Sequence, residues 1–147
     1  MTDTSEKVLI ETSLDHAQAL SRLLDLSVRI HLGQIEEIAD LARMGQLNRR
    51  PSLDATDVVP MSIEESERLE EALQLVKGIF GHPRNGSFGI GAPGVSLDAK
   101  RGYEIKKAVD KALHMHSRPN DLHSVSRDGV TVRYAPGDAP TATVKAL

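Results

Sequence analysis

The chain has 147 residues, 39% of them hydrophobic and 27% charged, with a net charge of −3 and no cysteine. This size fits a single domain over residues 1–147, large enough to bury a core without metal or disulfide staples. The composition excludes thiol nucleophiles and cysteine-ligated zinc, and the acidic balance argues against a surface that grips nucleic acid throughout.

No apolar run approaches the roughly 20 residues of a bilayer span, and the polar start Met1–Lys7 lacks the features of a signal peptide. A cytoplasmic protein is therefore expected. The alternation in Val8–Thr12 predicts a short strand, after which Ser13 or Thr12 caps a helix. From Leu14 to about Met44 the positions Leu20, Leu23, Leu24, Ile30, Ile35, Ile38, Leu41 and Ala42 recur at helical spacing, and Gly45 is placed to stop the element. Such a helix would be roughly 46 Å long against a diameter of about 38 Å for a compact chain of this size. That excess, with the off-stripe Leu26, Val28 and Leu32, predicts that the helix pairs with another copy of the chain. A break at Gly33 that makes two ordinary helices is the alternative.

Asn48–Met61 reads as a loop. Ser62-Ile63-Glu64-Glu65 is a capping box that opens a second helix, with Leu69, Leu73, Val76, Ile79 and Phe80 on its buried stripe and Gly81 at its end. A third helix is expected from its N-cap Ser96 to about His116, with Ile105, Ala108, Val109, Ala112 and Leu113 inward. Its basic side, Lys100, Arg101, Lys106, Lys107 and Lys111, is the basis of an alternative function, a small regulatory protein contacting nucleic acid. Beyond it, Val125–Arg127 and Val130–Tyr134 flank Asp128-Gly129, a hairpin signal, and Thr141–Leu147 adds a last strand. The fold class these elements predict is α+β, with a long N-terminal helix and two further helices packed on a small antiparallel sheet with a C-terminal β-hairpin.

The segment from Gly81 to Ser96 holds five glycines and one of only four Phe or Tyr residues in the chain. Gly89-Ile90-Gly91-Ala92-Pro93-Gly94 matches the spacing of the dinucleotide fingerprint, but that motif follows a strand and here a helix precedes it, so the Rossmann reading is rejected. A glycine-rich loop that feeds a helix N-terminus exposes amides suited to an anion, with Arg84 near to pair a phosphate and Phe88 able to stack on a base. The same spacing also fits an ordered connection with Phe88 plugged into the core. Arg118, Asn120, Arg127, Asp128, Arg133 and Tyr134 could join such a site or be solvated surface groups. Arg29, one turn after Asp25, reads as an intrahelical pair. His114 and His116 lack the spacing of helical metal ligands, and no nucleophile signature points to catalysis, so neither metal, cofactor nor enzyme activity is expected.

The stretches Asp25-Leu26-Ser27-Val28-Arg29-Ile30-His31-Leu32-Gly33-Gln34-Ile35-Glu36-Glu37-Ile38, Pro83-Arg84-Asn85-Gly86-Ser87-Phe88-Gly89-Ile90 and Ala99-Lys100-Arg101-Gly102-Tyr103-Glu104-Ile105-Lys106-Lys107 together resemble a family of phage proteins, the Thoeris anti-defence sponges. The resemblance implies an oligomer of dimers that captures a cyclic ADP-ribose isomer made by a bacterial TIR enzyme and does not cleave it. Relatives of that kind also hold cyclic oligonucleotides at a separate site between subunits, which the sequence does not locate. An adenine calls for an aromatic or arginine plane, ribose hydroxyls for Asn or Asp, and a pyrophosphate for arginines or free amides. Phe88, Asn85, Asp128, Arg84 and Arg127 supply those types, with Arg118 as a further candidate.

Overall fold

The structure is a computed structural model that describes residues 6–146. It contains four α-helices: α1 (Leu14–His31), α2 (Glu37–Arg43), α3 (Ile63–Lys77) and α4 (Leu97–Ser117). Two 3-10 turns, Gly78–Phe80 and Val125–Arg127, accompany them. No strand occurs among the described residues, where the one β feature is an isolated antiparallel bridge between Arg49 and Val59. The predicted α+β class, with its antiparallel sheet and C-terminal hairpin, is therefore corrected to an all-helical architecture.

The long N-terminal helix is corrected as well, because Gly33 ends it. At the close of α1 the Gly33 amide donates to Ile30 O at 3.0 Å and the Gln34 amide to Arg29 O at 2.9 Å, with Gly33 at φ +93°. This is a Schellman motif, in which a left-handed residue redirects the chain and satisfies orphaned carbonyls. A Cβ on Gly33 would lie 2.5 Å from His82 Nε2, so the position also admits the His82 ring. Eighteen residues make α1 about 27 Å long, which removes the length argument for oligomerisation. Gly45 and Gly81 end α2 and the α3 extension with the same pattern of bonds. The three N-caps act as the sequence predicts: Ser13, Ser62 and Ser96 each accept from an amide three residues on, and Glu65 completes the capping box.

The predicted hairpin does not form among the described residues. Asp128, at φ −74°, closes the 3-10 turn that precedes it, so only Gly129, at +66°, has the positive φ that a tight hairpin turn asks of both. Further along, the amides of Tyr134 and Ala135 donate to the Glu104 carboxylate at 3.0 and 3.3 Å, which ties this segment to α4 and not to a neighbouring strand. On the other side Ser124 caps Val125–Arg127 into a 3-10 turn. Residues 6–12 belong to no helix or strand, and the same is true of residues 141–146, so neither predicted terminal strand forms among the described residues; Met1–Ser5 and Leu147 lie outside them.

Packing follows two helix pairs. α1 lies along α4, where Val28, Leu32, Val95 and Ala99 make the apolar cluster and Ile90, Ala92 and Tyr103 pack around it. Ala99, Gly102 and Ala108 give α4 a face of small side chains that seats α1, while Ile105, expected inward, is 39% exposed. α2 lies on α3 through Ala39 and Ala42. Lys77, fully buried, extends its ammonium to both carboxylate oxygens of Glu36 at 2.8 Å. No helix among the described residues is long and apolar enough to cross a membrane.

Candidate functional site

The glycine-rich connection between α3 and α4 is held at several points, and each leaves something free. His82 enters the slot over Gly33 and meets Phe88 edge to face, with ring centroids 4.5 Å apart. The Phe88 amide donates to Leu32 O at 2.8 Å, which ties the loop to the end of α1. Its ring is 45% exposed, so it is backed by an imidazole and open to solvent, not plugged into the core. Ile90 and Ala92 reach the apolar cluster and anchor the far side of the loop. Between these anchors, the amides of Gly89, Ile90 and Gly91 find no acceptor among the described residues.

Two more aromatic rings close the other end. Tyr134 abuts Gly91, where a Cβ would stand 3.0 Å from the phenol ring, and Tyr103 meets Tyr134 at 5.9 Å in a T-shaped pair. A cavity of about 190 Å³ beside them is lined by Tyr103, Lys107, Tyr134 and residues 129–132. The loop thus presents unbonded amides between two aromatic pairs, with Lys107 lining the neighbouring cavity. Chemically, such a surface can stack a planar base and hydrogen-bond an anion, because unpaired amides and a lysine favour negative charge.

Tyr134 is held in place by Glu104. This carboxylate, 2% exposed, accepts from Arg133 Nε at 2.8 Å as well as from the two backbone amides. Burial alone pushes its pKa up, but the hydrogen bonds from Arg133, Tyr134 and Ala135 outweigh burial and hold it below the ordinary carboxylate value.

The residues predicted for the site divide into two groups. Phe88, Asn85 and Arg84 share the loop. Arg84 is already engaged, its guanidinium forking onto both oxygens of Glu71; the hydrogen bonds between them raise the arginine and lower the carboxyl. Asn85, at φ +59°, is clamped by buried Gln74, whose amide donates to Asn85 Oδ1 at 2.7 Å and accepts from the Asn85 amide at 2.9 Å. Both side chains shape the turn. Arg118 and Arg127 lie at the opposite end of α4, about 30 Å away by helix length, with Arg127 donating to Pro119 O at 2.8 Å. Asp128 precedes the glycine that packs on Lys111, in the C-terminal half of α4. The six residues therefore do not converge within one chain. Arg118 instead lines an open cavity of about 360 Å³ with Asp110, His114, Ser117, Ser124 and Ser126.

Other charges are locally balanced. Arg29 pairs with Asp25 at 2.8 Å, as expected, and also reaches Glu37 across the break; the hydrogen bond to Asp25 leads the causes that raise its pKa. On the basic side of α4, Lys106 contacts Asp110 and Asp25, and Arg101 contacts Asp98, so that face carries less free charge than its sequence suggests. His114 Nε2 lies 3.1 Å from Asp121 O. Sequence reasoning missed His82, Tyr103 and Lys107; the scarcity of aromatic residues was the available signal for the tyrosine. No family model, curated protein or solved structure matches the chain.

Proposed function

We propose that the chain binds a phosphorylated nucleoside ligand on the glycine-rich loop and holds it without cleavage, as an anti-defence sponge for a cyclic ADP-ribose isomer. The observation that carries this reading is the half-exposed Phe88 ring, backed by His82, immediately before the unbonded amides of Gly89, Ile90 and Gly91. The resemblance of the loop and the helices around it supplies the ligand class. In this reading Phe88 takes the base, the amides and Lys107 take the phosphates, and Glu104 keeps Tyr134 at the loop. Arg84 and Asn85 act through the shape of the turn.

Calorimetry with cyclic ADP-ribose isomers tests it, followed by heat denaturation and mass analysis of the released ligand. Stoichiometric binding and recovery of unaltered ligand are expected. Phe88→Ala should weaken binding by roughly 10- to 100-fold, the loss of one stacked base, with little change in stability because the ring is exposed. Absence of binding to every isomer, or release of a cleaved product, refutes the reading.

A further inference from the structure

Asn85-Gly86 is the one Asn-Gly pair in the chain, for the other asparagines, Asn48 and Asn120, precede Arg49 and Asp121. The pair invites self-modification, because a glycine amide has no side chain to screen it from the carboxamide one residue earlier. The Gly86 nitrogen gives its proton to a base and attacks Cγ of Asn85. A C–N bond forms and closes a cyclic imide, while the Cγ–Nδ2 bond breaks and ammonia leaves. Water then adds to either imide carbonyl. One opening gives aspartate, and the other gives isoaspartate, in which the main chain runs through Cγ. Asn85 is exposed, so water reaches it.

The turn needs both residues of the pair. Asn85, at φ +59°, is the one non-glycine residue with a positive φ among the described residues, a region that asparagine tolerates better than most. A Cβ on Gly86 would lie 2.7 Å from Pro83 Cδ and 3.0 Å from Pro83 O, so a side chain there meets the main chain. Glycine is thus required at the position where it is most reactive.

Three hydrogen bonds oppose the reaction. The Gly86 amide donates to Pro83 O at 2.8 Å, which engages the proton that must be lost. Gln74, on α3 and 6% exposed, supplies the other two: its Nε2 donates to Asn85 Oδ1 at 2.7 Å, and its Oε1 accepts from the Asn85 amide at 2.9 Å. A main-chain amide only donates, which fixes the orientation of the Gln74 carboxamide and, through it, that of Asn85. Swinging Cγ onto the Gly86 nitrogen requires the Asn85 side chain to leave Gln74. The isoaspartate product would lengthen the main chain by one carbon inside the turn that leads to Phe88, so the same bonds preserve the path of the loop.

We infer that Asn85-Gly86 is a latent deamidation site and that the buried Gln74 carboxamide holds it closed. The inference rests on the geometry of the turn and not on the ligand assigned to the loop.

The full chain is held in mildly alkaline buffer and sampled by peptide mapping with mass analysis, which reads the amide-to-acid mass gain and separates aspartate from isoaspartate. A parallel sample in urea gives the rate of the unrestrained pair. Conversion at Asn85 in the folded wild type is about 10-fold or more slower than in urea, because reaction waits on local opening. Gln74→Met keeps the length of the side chain, removes both of its bonds and speeds folded-state conversion roughly 10- to 100-fold. Gln74→Glu keeps an acceptor for the Asn85 amide, loses the donor to Oδ1 and falls between. In urea all three chains convert at one rate. Circular dichroism shows which variants are folded, and Gln74→Glu carries the comparison if Gln74→Met is not. Equal wild-type rates in the folded chain and in urea overturn the inference, as does a folded variant at Gln74 that converts no faster than wild type.

Discussion

Truncating Glu104 should loosen the C-terminal segment from α4 and carry Tyr134 with it. The carboxylate receives Arg133 Nε at 2.8 Å and the amides of Tyr134 and Ala135 at 3.0 and 3.3 Å while only 2% exposed. Removing one partner of a buried ion pair costs about 3–5 kcal/mol. Arg133 is about one-third exposed and retains bonds to Ala135 O and Gly137 O, so hydration offsets part of that loss. Glu104→Ala should therefore cost about 3 kcal/mol, a fall of roughly 6–12 °C in Tm for a domain of this size. Urea denaturation at fixed protein concentration measures the free energy, and amide exchange at Tyr134 and Ala135 locates it. The pH dependence has a defined sign. Because the folded pKa lies below the unfolded value of about 4.3, the stabilisation is fully present above that value and is lost as pH falls through the folded pKa. The stability gap between wild type and Glu104→Gln should thus be constant from pH 5 to 7 and shrink below 4. A Glu104→Ala protein within about 0.5 kcal/mol of wild type, with unchanged exchange at Tyr134, would refute the clamp.

Gly33→Ala combines a left-handed backbone with a collision at His82 and should cost about 2–3 kcal/mol. Gly45→Ala, at φ +70° with nothing within 4 Å, should cost only about 1 kcal/mol; urea midpoints compare them, and His82→Ala should remove the difference. Lys77→Met leaves the Glu36 carboxylate without its buried ammonium and should cost about 3 kcal/mol, while adding Glu36→Gln should recover most of it. Thermal unfolding of the single and double variants checks this.

Helices were legible where caps and apolar spacing agreed. Ser62 and Glu65 announce α3, and Ser96 announces α4, because those side chains bond amides a fixed distance along the chain. Gly33 was harder to read than Gly45, since the apolar spacing continues past it; the residue that explains it, His82, lies 49 positions away. The hairpin signal at Asp128-Gly129 misled, because Asp128, at φ −74°, closes a 3-10 turn and not a tight hairpin turn. The segment after it is held by a tertiary contact that the sequence does not show: one buried carboxylate on α4 takes the amides of Tyr134 and Ala135, and nothing near residue 134 reveals that Glu104 faces it. For the candidate site, Phe88 was visible as a rare aromatic in a glycine-rich stretch. The engagement of Arg84 by Glu71 and of Asn85 by Gln74 was not, because each partner sits on α3, 11 to 13 residues earlier.

Seven lysines are spread along the sequence, and Lys77 has no exposed surface. A water-soluble acylating reagent should modify Lys145 readily and leave Lys77 intact for as long as α2 stays seated on α3. Slow labelling at that one position would then time the separation of the two helices, giving a covalent clock for an opening that no change in overall helicity would register.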